Sequence, residues 1–171
     1  MKKRLLEPDI RQAAVCGLFC PACTVFIGTK EDPDRLKVMA ERLQISVEEL
    51  SCDGCRAENR SLRCQTCQFV SCAAEKSVDF CSECDEYPCE DLKEFQAAMP
   101  HRIELWDDLE RIRDVGYERW FEEKINHYSC PKCKILNSAY DVTCRNCGAD
   151  PGSSYVREHK QEIIPFLSKM K

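Results

Sequence analysis

The sequence predicts a small α-rich fold held by short helices and cysteine knuckles, followed by a helical segment and a C-terminal β ribbon. Three observations lead there. The chain has 171 residues and an apolar fraction of 43%, but that fraction counts 15 cysteines. Without them the supply of core residues is thin, so something besides burial must hold the fold. Most of the cysteines stand in C-x-x-C pairs, a spacing that folds into a tight turn and presents two thiolates to one metal. Between residues 100 and 127, which contain no cysteine, apolar side chains recur at helical intervals.

Metal is favoured over disulfide by the expected compartment as well as by the spacing. The start, Met1-Lys2-Lys3-Arg4-Leu5-Leu6-Glu7-Pro8, is basic but has no apolar run after it, unlike a signal peptide. No stretch approaches the roughly 18 apolar residues of a membrane span. A cytoplasmic location without membrane contact is expected, where disulfides rarely persist. The odd number of cysteines points the same way. The net charge of −5 argues against a general nucleic-acid binder. From Tyr128 onward, however, seven Lys/Arg stand against four Asp/Glu.

The cysteines divide the chain into a metal-binding domain (1–99), a helical connector packing on it (100–127), a zinc ribbon (128–150) and a helical tail (151–171). In the first part, Asp32 should cap a helix with Pro33 at its first position, running to about Leu43 with Leu36, Met39, Ala40 and Leu43 on one face. Ser46-Val47-Glu48-Glu49 has the capping-box pattern and should open a short helix before Cys52. A further helix is expected over Val70–Lys76. Pro88 should open another through Met99, burying Leu92 and Phe95, with Pro100 closing it. In the connector, Ile103, Trp106, Leu109 and Ile112 share a helical face, Gly116 ends that helix, and the next carries Trp120 and Phe121 as a seam against the cysteine-rich part. Ser154 to Ile164 reads as a helix stopped by Pro165.

The clearest constellation is Cys130-Pro-Lys-Cys133, ten residues, then Cys144-Arg-Asn-Cys147-Gly148. Two knuckles at this distance place four sulfurs on a tetrahedron about 2.3 Å from a zinc ion. All positions on the metal are then protein, so the site is structural. The other eleven cysteines are Cys16, Cys20, Cys23, Cys52, Cys55, Cys64, Cys67, Cys72, Cys81, Cys84 and Cys89. Two closed four-cysteine sites would leave three over. These could take His101 as a fourth ligand, be inert buried thiols, or form an open three-thiolate site. Cys52/Cys55 with Cys64/Cys67 is the simplest pairing. Cys16-x3-Cys20-x2-Cys23 has the spacing of radical enzymes that hold a four-iron cluster, although the chain lacks the length and alternation of their barrels. Zinc or an iron–sulfur cluster therefore both suit this part. His101, His127 and His159 read as surface or packing residues, and no phosphate loop, nucleophile elbow or H-E-x-x-H occurs.

Taken together, Cys16-Gly-Leu-x-Cys20-x-x-Cys23, Cys52-Asp-Gly-Cys55, Cys64…Cys67…Cys72-Ala and Cys81-x-x-Cys84-x-x-Tyr87-Pro88-Cys89-Glu-x-Leu92 resemble an uncharacterised cysteine-rich family of anaerobic bacteria and archaea. That family is a domain of unknown function with presumed zinc binding. Several members also carry a helical stretch similar to Arg102-Ile-Glu…Ile112…Gly116-x-Glu118-x-Trp120 and a terminal ribbon. The resemblance spans residues from about 13 to 149; it implies a metal-binding protein and supplies no reaction. Lys134 departs from it by standing where a ribbon glycine is common.

The functional expectation is a multi-zinc structural or adaptor protein, more plausibly not an enzyme, that binds another protein. The alternative is an iron–sulfur or open-site metalloprotein centred on Cys16, Cys20 and Cys23. A lesser alternative is nucleic-acid contact through the ribbon and its basic tail.

Overall fold

The computed structural model describes residues 6–96 and 99–170. The basic start and the 97–98 stretch of the helix expected to reach Met99 lie outside these residues. The described chain is helical: α1 (Thr24–Lys30), α2 (Pro33–Leu43), α3 (Val47–Leu50), α4 (Leu62–Gln65), α5 (Gln68–Lys76), α6 (Glu90–Gln96), α7 (Leu105–Val115), α8 (Tyr117–Tyr128) and α9 (Ser154–Lys169).

The helix starts follow local chemistry. The Asp32 carboxylate accepts the Arg35 N–H ahead of α2, with Pro33 at the first position. Ser46 and Glu49 form the reciprocal capping box of α3, and Ser153 accepts the Val156 N–H to open α9. Gly116, at φ +83°, ends α7. The buried face of α7 is Leu105, Asp108, Leu109 and Ile112, rotated from the expected one. Ile103 precedes the helix, and Trp106 is only half-buried, against Tyr87. α9 continues through Pro165; the backbone departs from helical angles at His159 instead. Pro165 orphans the Gln161 carbonyl, but Gln161 is exposed and water can serve that group.

The β ribbon is not formed. Among the described residues, the only pairing near it is one isolated antiparallel bridge between Ser129 and Leu136. The C-terminal cysteine segment is made of turns, and the physical reason is visible in its hydrogen bonds. Asn137, fully buried, donates to the Gly152 carbonyl at 2.8 Å and accepts the Arg145 N–H at 3.0 Å. Side chains thus satisfy backbone groups that a ladder would otherwise pair.

The core forms where the loop between Cys16 and Cys20 meets α8 and α9. Phe19 stands edge-on to Phe121 (4.9 Å) and Trp120 (5.9 Å) and stacks with Tyr128, which stacks in turn on Tyr155 at 4.6 Å. The expected aromatic seam against the cysteine-rich part is therefore present. Such aromatic contacts add roughly 0.5–1.5 kcal/mol each beyond area burial. A satellite cluster of Leu36, Ala40 and Leu50 holds α2 and α3 together.

Candidate metal centre

Cys130, Cys133, Cys144 and Cys147 are brought together, with their sulfurs all within 4.8 Å of one another. The Cys130–Cys147 separation is 3.7 Å and the Cys133–Cys144 separation is 3.6 Å. A tetrahedron with bonds of about 2.3 Å has edges of about 3.8 Å. The four thiols are spaced for one zinc-sized ion.

The turns that build this site also suit thiolates. The Lys132 N–H points at Cys130 Sγ (3.4 Å) and the Asn146 N–H at Cys144 Sγ (3.5 Å). A hydrogen bond from the Ile135 backbone brings the Cys133 thiol down to about 6. Burial pushes Cys144 up, but the N–H groups of Cys147 and Asn146 bring it below the ordinary thiol value. Donors aimed at sulfur stabilise the deprotonated form that a metal requires. Lys134 closes the first turn in the left-handed region (φ +63°), donating its N–H to the Cys130 carbonyl at 3.0 Å. It takes the conformation that glycine would adopt more readily.

The segment is fastened to the rest of the chain by charge. Arg35 of α2 makes a two-pronged pair with Asp141 (2.9 and 3.1 Å), and Arg145 reaches Glu31 after α1. Two of the basic residues after Tyr128 besides Arg145 are paired locally, Lys160 with Asp150 and Arg157 with Glu158.

All fifteen cysteines are free thiols. The eleven N-terminal ones are not gathered as tightly as the C-terminal four, and Cys16, Cys20 and Cys23 do not close around a common point within 4.8 Å. They nonetheless crowd one another in two overlapping groups. Burial raises Cys20 well above the ordinary thiol value, with Cys55, Cys23 and Cys52 as charged neighbours. Burial likewise raises Cys55, whose neighbours include Cys67 and Cys64. Cys16, also raised by burial, has Cys55, Cys81 and Cys67 among its neighbours. Cys81 is pushed up to about 12 by burial and then by Cys89, Cys72, Cys84 and Cys67. The simple pairing of Cys52/Cys55 with Cys64/Cys67 alone does not describe the first group, because Cys16, Cys20 and Cys23 share it.

The scaffold explains why these thiols meet. Ala13, Ala14 and Val15 are buried, and this stretch serves as a common backbone rail. Arg56, next to Cys55, donates to the Ala13 carbonyl at 2.9 Å, and the Cys81 N–H donates to the Val15 carbonyl at 2.8 Å. Gly17 has φ +86°, and a Cβ there would meet Leu109 Cγ at 2.8 Å, so the turn after Cys16 needs glycine to seat on α7. Gly54 has φ +129°, its N–H points at Cys52 Sγ (3.4 Å), and a Cβ would collide with the Arg11 carbonyl. Gly54→Ala is expected to cost about 1–3 kcal/mol and to loosen the Cys52–Cys55 turn. Thermal unfolding of the metal-loaded variant checks it, and an unchanged midpoint would count against the packing described.

His101 is not placed as a ligand. Its Nδ1 lies 2.5 Å from the Tyr140 hydroxyl and its Nε2 accepts from Arg102 at 3.3 Å, while burial pushes the imidazole down to about 4. His127 and His159 both direct Nε2 at Oε1 of Glu104, at 2.8 and 2.6 Å. Glu104 Oε2 and Asp108 in turn receive the buried Lys124 ammonium at 2.6 and 2.8 Å. Glu104, Glu158 and His159 also lie within metal-ligand distance of one another. The Lys124 ammonium beside Glu104 repels a cation there, so this cluster is an ion-pair hub rather than a metal site. No motif marks it in the sequence, since its members come from three helices and the residue before α7.

Residues 12–94 match the profile of a family described as a protein of unknown function (DUF3795). The match covers the eleven N-terminal cysteines and ends before α7, so the helical connector and the C-terminal four-cysteine site lie beyond it. No curated protein and no solved structure gives a significant match.

Proposed function

We propose that this chain is a multi-zinc structural protein of a reducing compartment, whose closed four-cysteine sites stiffen a small helical body that binds another protein. One observation carries the reading: the sulfurs of Cys130, Cys133, Cys144 and Cys147 stand at tetrahedral spacing for one zinc. Zinc held by these four would cross-link the turns of the segment. With four protein ligands it has no position left for a substrate, so it supplies structure and no Lewis-acid chemistry. Free thiols throughout fit the same compartment. Among the described residues no helix is long and apolar enough to cross a membrane. The partner is read as a protein and not a nucleic acid because Arg145, Arg157 and Lys160 of the basic end are engaged with acidic residues of the chain itself. The apolar ending is largely used internally: Ile163 is fully buried and Phe166 lies against Tyr140, leaving Ile164 outside.

A second reading is favoured by the looser spread of the seven thiols from Cys16 to Cys67, which crowd without closing on one ion. An iron–sulfur cluster held there would make the N-terminal part a redox centre. Purification without oxygen, with metals counted by mass spectrometry beside a visible spectrum, separates the two. More than one zinc per chain and no absorbance above roughly 350 nm is the expected result. Several irons with a broad band near roughly 400 nm would transfer the N-terminal part to the second reading.

A further inference from the structure

We infer that Cys72, Cys81, Cys84 and Cys89 form a second closed metal site, taking one zinc-class ion separately from the seven cysteines between Cys16 and Cys67. This rests on the reading of the chain as a multi-zinc protein and assigns four of its ligands to one ion. Two observations carry it.

The four residues come from the α5 helix, the turn at residues 81–83, the loop after it and the residue before α6, yet all of them line one small cavity of about 40 Å³. Phe69, Ala73 and Leu92 form its apolar wall. A dry wall behind thiolates lowers the local dielectric and strengthens their hold on a cation. The cavity is of a size for a single ion.

The polar groups around it are those a thiolate site needs. The Glu86 N–H points at Cys84 Sγ at 3.4 Å. This is the same bond, from the residue two further on, that Cys130 and Cys144 receive in the C-terminal site. Lys76 Nζ stands 3.5 Å from Cys84 Sγ and pairs with Glu86 at 2.8 Å. Four thiols lose four protons on binding one divalent ion, leaving two net negative charges, and the Lys76 ammonium offsets part of that.

The four sulfurs are more widely set than those of the C-terminal site, so binding one ion would draw Cys72 of α5 and Cys89, just before α6, toward Cys81 and Cys84.

The test uses the full zinc-loaded chain and native mass spectrometry on Cys89→Ser, Cys133→Ser and the double variant. Each single substitution is expected to remove one zinc and the double to remove two. If Cys133→Ser loses one zinc and Cys89→Ser loses none, this inference is overturned while the C-terminal site stands. If Cys133→Ser keeps its full complement, the underlying reading fails instead. Should Cys89→Ser not fold, the unmodified protein answers by graded chelation with thiol alkylation mapped by mass. Cys72, Cys81, Cys84 and Cys89 are expected to become labelled together as one zinc leaves. Labelling of Cys72 in step with Cys64 and Cys67, or a release of iron in place of zinc, would overturn the assignment.

Discussion

Cys144→Ser is expected to release one zinc and to unfold the turns from about residue 129 to 150, while α7 and α8 stay folded. Cys144 is 4% exposed and lies 3.6 Å from Cys133 Sγ, so the substitution opens the buried side of the tetrahedron. Besides the metal, the segment is held by buried Leu136, Asn137 and Ala139, by two ion pairs to the first helices, and by backbone bonds that run mostly within single turns, such as Cys130 to Ile135 and Cys144 to Ala149. Structural zinc in small knuckle peptides contributes roughly 10–16 kcal/mol at neutral pH. That is as large as the roughly 5–15 kcal/mol by which a whole domain is stable, so the segment should not survive its loss. The Arg35–Asp141 and Arg145–Glu31 pairs would go with it, since the acid of one and the base of the other sit in the unfolded stretch. Hydrogen exchange read beside zinc stoichiometry decides the matter. Unchanged zinc, or protection lost equally across α7 and α8, would contradict a self-contained site.

What the sequence disclosed and what it hid divide along a physical line. Local chemistry was legible: the Asp32 and Ser46 caps, the Gly116 stop and the two turns that gather Cys130, Cys133, Cys144 and Cys147 all depend on neighbours within a few residues. The β ribbon was not legible as absent, because a spacing of cysteines fixes where the sulfurs go and not how the intervening backbone is paired. Here Asn137 and Arg145 satisfy that backbone from side chains. The gathering of the eleven N-terminal thiols was hidden for a related reason. It is set by the rail at Ala13–Val15, which receives Arg56 and Cys81 from distant parts of the chain. The resemblance pointed to the right N-terminal family character, and the profile match bears this out for residues 12–94. The hub at Glu104 left no trace at all, as none of its members has a recognisable spacing.

That hub yields the other large effect. Lys124→Met is expected to destabilise the protein by about 3–5 kcal/mol at pH 7.5, and by distinctly less at pH 5.5. Lys124 is 5% exposed, and its ammonium bonds both Glu104 and Asp108, above the rings of Tyr128 and Tyr155. Methionine fills similar space without charge, leaving two buried carboxylates facing each other. Burial pushes the Glu104 carboxyl up, but the hydrogen bond from His127 and the Lys124 ammonium hold it well below the usual range. Burial raises Asp108 to about 6 even against the pull of Lys124 and the Trp120 indole N–H. Removing the lysine must raise it further. A carboxyl whose folded value lies above its unfolded one binds more protons when folded, so its ionisation costs stability above the folded value and that cost disappears as pH falls through it. The variant should therefore recover between pH 7.5 and 5.5, as Asp108 takes up a proton. Denaturant unfolding of both proteins at the two pH values measures this. A loss under about 1 kcal/mol at pH 7.5, the scale of an exposed pair, or an equal loss at both, would show that the hub is not the buried charge balance described.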